Sequence, residues 1–181
     1  NITKKMISEV HIILMGVISI TTIILGFLML FITKDENYKT FSLLILLTSV
    51  WSTINTALHL SIDIESITFF TKLTYYIGVV ISLLFYIFCR NLCKINNNSI
   101  NNLIYILLVS LLPVYIYSDL IVGNYHVYNN NYSWDHGRLW YLFVISFCFP
   151  AFTGIKMIIT KYFNSEIENR NIYRNFIVIS L

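Results

Sequence analysis

The sequence predicts an all-α fold: a polytopic membrane helical bundle with five full transmembrane helices and the start of a sixth. Three observations carry that expectation. The chain has 181 residues, of which 57% are hydrophobic and only 12% charged, whereas a soluble domain carries about 25% charged residues. A chain of this size cannot bury so much apolar surface in water, and a mean hydropathy of +0.71 fits hydrocarbon as the solvent. The apolar residues also fall into windows near twenty residues long, the length that spans a bilayer as a helix.

Taken in order, the first segment runs from about Ile7 to Ile32. Lys4 and Lys5 before it resemble the basic start of a secretory signal. Its apolar run is too long for one, and no small-residue cleavage pattern follows, so it reads as a retained span. The second segment runs from about Phe41 to Ile62, the third from about Ile67 to Leu92 and the fourth from about Ile100 to Leu120. A longer polar linker, about Ser118 to Arg138, is the one external segment large enough for a small lid or hairpin. The fifth segment runs from about Leu139 to Phe163, and a sixth, "NIYRNFIVISL", begins near Ile172 and stops midway. That stop, with Asn1 rather than Met at the start, suggests a piece of a longer protein. Pro113 and Pro150 each lie within a span and are the candidate kinks.

Lys and Arg in short loops set orientation. The loops after segments one, three and five hold Lys34, Lys39, Arg90, Lys94, Lys161, Arg170 and Arg174; the other side holds Lys4, Lys5 and Arg138. The first set is therefore expected in the cytoplasm, with the N-terminus outside. The net charge of +3 is small and scattered, which argues against nucleic acid as a partner. Of Cys89, Cys93 and Cys148, the first two share a helix face, but no second pair completes a zinc site, so they read as apolar filler. No metal and no cofactor is expected.

The second segment carries an unusual row. Trp51, Asn55, His59 and Asp63 follow one another at four-residue spacing, which puts them on one side of a helix. Polar side chains at membrane depth usually face a partner or a wet cavity. The row is therefore either a set of interhelical hydrogen bonds, each worth roughly 1 kcal/mol, or the wall of an outward-facing ligand pocket. Lys72 in "TFFTKLTYYIG" can snorkel to the headgroups, pair with Asp63 or Glu65, or hold an anionic ligand. Tyr76 lies on the same face four residues on. Candidate ligand-binding residues are thus Trp51, Asn55, His59, Asp63, Lys72 and Tyr76. Asp135, His136 and Arg138 form a candidate polar cluster at the mouth of the fifth segment. No positioned nucleophile accompanies it, and no catalytic residue is expected.

"SVWSTINTALHLSID", "FFTKLTYYIGVV", the proline of "VSLLPVYIYSDL", the glycine of "DHGRLWYLF" and the basic "ENRNIYRNF" occur in this order. In that order they resemble the N-terminal seven-transmembrane sensor region of bacterial histidine kinases, also found ahead of diguanylate cyclase domains. The likeness runs from about Phe41 to Leu181, and the chain ends within helix six of that pattern. It implies that residues 1–181 are one transmembrane sensor-like domain without catalytic activity of its own. It further implies that the parent protein is a histidine kinase or cyclase, dimeric, relaying an external small molecule or membrane signal to a cytoplasmic effector. The alternative from the residues is a fragment of a transporter or embedded enzyme. Few helix-interior glycines and no mid-depth carboxylate argue against the transporter.

Overall fold

A computed structural model describes the backbone of residues 2–60, 63–95, 105, 110, 113, 114, 118–128, 131–165 and 174, and their side chains except at 2–12, 59, 124–128 and 131–134. Four long helices, α1 (Ile2–Ile32), α2 (Glu36–Leu60), α3 (Ile64–Leu92) and α4 (Trp140–Asn164), are joined after α3 by two strands, β1 (Val122–Tyr128) and β2 (Asn131–His136). All four helices are long and apolar enough to cross a membrane. Of the expected five full spans and the start of a sixth, four full spans lie among the described residues. The fourth and sixth segments fall largely outside them; of these, Tyr105, Ser110, Pro113, Val114 and Arg174 are helical. The all-α expectation holds for the spanning part, with a β-hairpin added where the longer linker was expected.

Helices α2 and α3 begin earlier than their hydropathy windows because polar residues cap them. The Asp35 carboxylate accepts from the Asn37 N–H at 2.7 Å ahead of α2, and Asp63 accepts from Ser66 N–H at 2.7 Å as the N-cap of α3. Each satisfies an orphan donor of the first turn. The end of α3 is equally defined. Lys94 N–H donates to the Asn91 carbonyl at 3.1 Å and Ile95 N–H to the Arg90 carbonyl at 3.2 Å, with Lys94 at φ 51°. This is a Schellman ending with lysine where glycine is usual.

Packing runs α1 on α2, α2 on α3 and α3 on α4. Lipid supplies no hydrophobic drive between spans, so small side chains and hydroxyls mediate these contacts. Between α1 and α2, the Ser49 hydroxyl donates to the Thr22 hydroxyl at 2.6 Å, and Ser19, Ser42 and Ser49 are buried. Gly26 sits directly under the Leu46 side chain. On α4 the buried residues Ser146, Pro150, Gly154 and Ile158 recur every fourth position, and Gly154 lets the Cys89 sulfur and the Phe85 ring approach closely. The Ser82 hydroxyl donates to the Phe147 carbonyl. That carbonyl lies in the turn before Pro150, where the missing proline N–H disturbs the backbone ladder. By contrast, Ile20 and Phe31 on α1 are 62% and 85% exposed, as befits a face turned to lipid.

The hairpin is antiparallel, with Tyr128 opposite Asn131, Tyr125 opposite Trp134 and an irregularity between Val122 and Tyr125. An isolated two-stranded hairpin is marginal; this one is seated in the bundle. Ile121 and Val122 are buried with Val79 and Leu83 of α3, and Tyr76, Tyr105, Val114, Leu139 and Leu142 pack round them. At its foot Gly137 N–H donates to the Ile121 carbonyl at 3.0 Å and Leu139 N–H to the Leu120 carbonyl at 2.7 Å. A side chain at Gly137 would overlap the Leu120 carbonyl.

Candidate functional site

Because α2 and α4 pack through α3, they leave a groove between them with α3 as its floor. It has a volume of about 450 Å³. From α2 come Thr48, Trp51, Asn55 and Leu58; from α3, Thr71, Thr74, Tyr75, Gly78 and Ile81; from α4, Phe143 and Phe147. The aromatic wall is ordered by its own contacts. Tyr75 meets Phe143 edge-on at 4.4 Å between ring centroids, and Phe143 stacks with Phe147 at 5.8 Å. Such pairs hold ring orientations that a flexible aliphatic wall would not.

The polar groups of the groove are turned on their own helices. The hydroxyls of Thr48, Thr71 and Thr74 donate to the carbonyls of Leu44, Ile67 and Phe70 at 2.8, 2.8 and 2.9 Å. The Asn55 amide donates to the Trp51 carbonyl at 2.9 Å. This back-bonding lets a membrane helix carry hydroxyls without unsatisfied donors, and it leaves the threonine oxygens as acceptors and the Asn55 amide with a second N–H to donate.

The six residues singled out from sequence part company here. Trp51 and Asn55 line the groove together, with Trp51 still 38% exposed at its lip. The backbone of His59 continues α2, and its side chain lies outside those described. Asp63 does not extend the row, since it caps α3 beyond the end of α2. Ser66 N–H, donating to it, holds its carboxyl below the ordinary value. Lys72 meets neither Asp63 nor Glu65 in an ion pair but Asp119, at 2.6 Å. Its side chain is 14% exposed against 83% for the aspartate. Tyr75 and Tyr76 both pack against the hairpin core, and of the two it is Tyr75 that also lines the groove.

Sequence reasoning missed Tyr75, Phe143 and Phe147. The two phenylalanines lie in an uninterrupted apolar run, where no polar contrast marks a face. Tyr75 could have been found from its i, i+4 relation to Thr71. Asp135, His136 and Arg138 do come together, lining a second cavity of about 440 Å³ with Asp119 and Gly137 at the hairpin foot. There the His136 ring lies 4.5 Å from that of Trp140. Among the described residues no group of three or more His, Cys, Asp or Glu is placed to hold a metal ion.

A family model for the N-terminal seven-transmembrane region of histidine kinases matches residues 16–181. The chain belongs to that family. This histidine-kinase membrane region is a sensory module and not an enzyme, and the transporter and embedded-enzyme alternatives give way to it. Neither the curated proteins nor the solved structures contain a match to the chain. The glycine before the fifth segment and the "TKLTYY" of the third, both points of likeness in the sequence, fall at the hairpin foot and at the groove floor.

Proposed function

We propose that this sensory region receives its signal in the groove between α2, α3 and α4 and relays it to a cytoplasmic effector, a histidine kinase domain in the parent protein. The observation that carries the reading is the groove itself. Its walls belong to two helices that both lean on α3, so an occupant that fits one spacing of α2 and α4 better than another shifts the population of packings. Displacement, tilt or rotation of the spans then carries that shift across the membrane. The loop charges favour an external N-terminus, with the groove in the outer half of the membrane and the hairpin outside. By the family's kinship with dimeric kinases, the parent works as a homodimer.

The site is tested in the full-length protein with Trp51→Ala and Asn55→Ala, read as kinase output in cells and as membrane insertion by protease protection. The reading expects both variants to insert normally and to lose or lock their response. Normal insertion with an unchanged response in both would refute the groove as the receiving site. Cysteines placed at the hairpin and at Lys94 and labelled from one side of the membrane check the orientation.

A further inference from the structure

Resting on the groove as the receiving site, the chemistry of its lining narrows what it receives. We propose that the groove holds one uncharged, single-chain amphiphile drawn from the bilayer, such as a long-chain alcohol. Its hydroxyl head lies beside Asn55 and Thr71 and its chain runs toward Ile81. Three observations lead there.

The first is shape. Thr48 to Leu58 on α2, and Thr71 to Ile81 on α3, each span ten helical steps, about 15 Å at 1.5 Å per residue. A volume of about 450 Å³ open to atom centres over that length leaves a section of roughly 30 Å², about 6 Å across, or about 9 Å from wall to wall once the radius of a water-sized atom is added on each side. A helix with its side chains needs about 10–12 Å. The space therefore suits one extended chain and not a further span.

The second is charge. Every residue lining the groove is uncharged, and the nearby ammonium of Lys72 is engaged by Asp119 at 2.6 Å, away from the groove. An ionised head would lose its water with no counter-charge to replace it. The third is hydrogen-bond polarity. The hydroxyl hydrogens of Thr48, Thr71 and Thr74 are committed to carbonyls of their own helix. What these threonines offer is acceptors, while the Asn55 amide keeps a second N–H beside the one given to the Trp51 carbonyl, so the fitting head both donates and accepts, as a hydroxyl does. Asn55 and Thr71 lie toward the α2–α3 turn and Ile81 toward mid-helix, which places the head near the membrane surface and the tail at depth.

Gly78 supplies the test. The atoms nearest to a Cβ there belong to the Phe147 and Phe143 rings, at 3.8 and 3.9 Å, ordinary contact distances, and Gly78 lines the groove, so a larger side chain there takes up groove space. The full-length protein in nanodiscs is photolabelled with a diazirine-bearing dodecanol, with unlabelled dodecanol or dodecanoate as competitor, and the labelled peptides are mapped. The expected result is saturable labelling of the peptides holding Trp51, Gly78 and Phe147, with dodecanoate competing about tenfold or more weakly than dodecanol. Labelling is lost in Gly78→Leu while the melting temperature stays within a few degrees. Competition by dodecanoate at equal strength would overturn the requirement for a neutral ligand. Labelling that rises linearly with probe, in wild type and Gly78→Leu alike, would overturn occupancy by a single-chain amphiphile. If that linear result came with a response still lost in Trp51→Ala, the groove would remain the receiving site and only the ligand class would fail.

Discussion

Replacing Gly137 with alanine tests whether the hairpin is structurally one with the bundle. The added Cβ would overlap the Leu120 carbonyl and fall 2.7 Å from the Ile121 nitrogen. These are backbone atoms and cannot swing aside as a side-chain end can. They are also fixed by the hydrogen bonds Gly137 N–H to Ile121 and Leu139 N–H to Leu120, at 3.0 and 2.7 Å. Relief of the overlap breaks or stretches both bonds, at about 1 kcal/mol each. It also shifts Ile121 and Val122, each 1% exposed, off Val79 and Leu83. Strain from overfilling a packed site adds about 1–3 kcal/mol. The whole effect is about 3–5 kcal/mol, which is large beside the total stability of a small domain. Thermal unfolding in detergent, with hydrogen exchange read at residues 120–128 and 131–139, measures it. A Gly137→Ala protein that melts with wild type and keeps hairpin protection would refute the clamp. Gly123→Ala is the milder comparison, because its Cβ would lie 3.2 Å from the Asp135 carbonyl oxygen.

Other expectations follow from single contacts. Ser49→Ala removes the α1–α2 bond to Thr22 and should cost about 0.5–1 kcal/mol, read as a lower melting temperature that Thr22→Ala does not lower further. Lys94→Gly relieves a non-glycine residue at φ 51° and should stabilise the end of α3 by about 1 kcal/mol; an unchanged or lower melting temperature would speak against the Schellman ending. The Ser66 N–H bond holds the Asp63 carboxyl below its ordinary 3.8. A lowered folded value means the charged cap contributes fully above 3.8, and its contribution is lost as pH falls through the lowered value. The melting-temperature gap between wild type and Asp63→Asn should therefore close on acidification below that range, and a gap constant with pH would contradict it.

How far the sequence reached depended on whether a feature contrasted with its surroundings. Hydropathy contrasts with loops, so α1 to α4 were legible, though the first turns of α1 and the capped first turns after Asp35 and Asp63 were missed. The polar row of α2 contrasts with its apolar helix, which is why Trp51 and Asn55 were found. Asp63 was drawn into the row by spacing alone, because nothing in four-residue periodicity reveals that a helix has ended. The partner of Lys72 lies 47 residues away in the chain, beyond the reach of any local pattern. Tyr75 and Tyr76 both touch the hairpin core, and which of them also reaches the groove turns on a rotation of about 100° about the α3 axis that spacing alone does not fix. The hairpin was legible as a capacity of the linker; its seating through Ile121, Val122 and Gly137 was not, because those contacts are made by tertiary neighbours.

The central claim is that occupancy of the α2–α3–α4 groove sets the output of the kinase. The most direct measurement is the autophosphorylation rate of the purified full-length protein in nanodiscs, comparing wild type, Gly78→Leu and Gly16→Leu. Gly16 has nothing within 4 Å of a built Cβ, so leucine there adds the same bulk in open space. The account predicts that Gly78→Leu moves the rate to a fixed level, high or low, that no longer answers added dodecanol, while Gly16→Leu behaves as wild type. Equal rates and equal responses in all three proteins would contradict it.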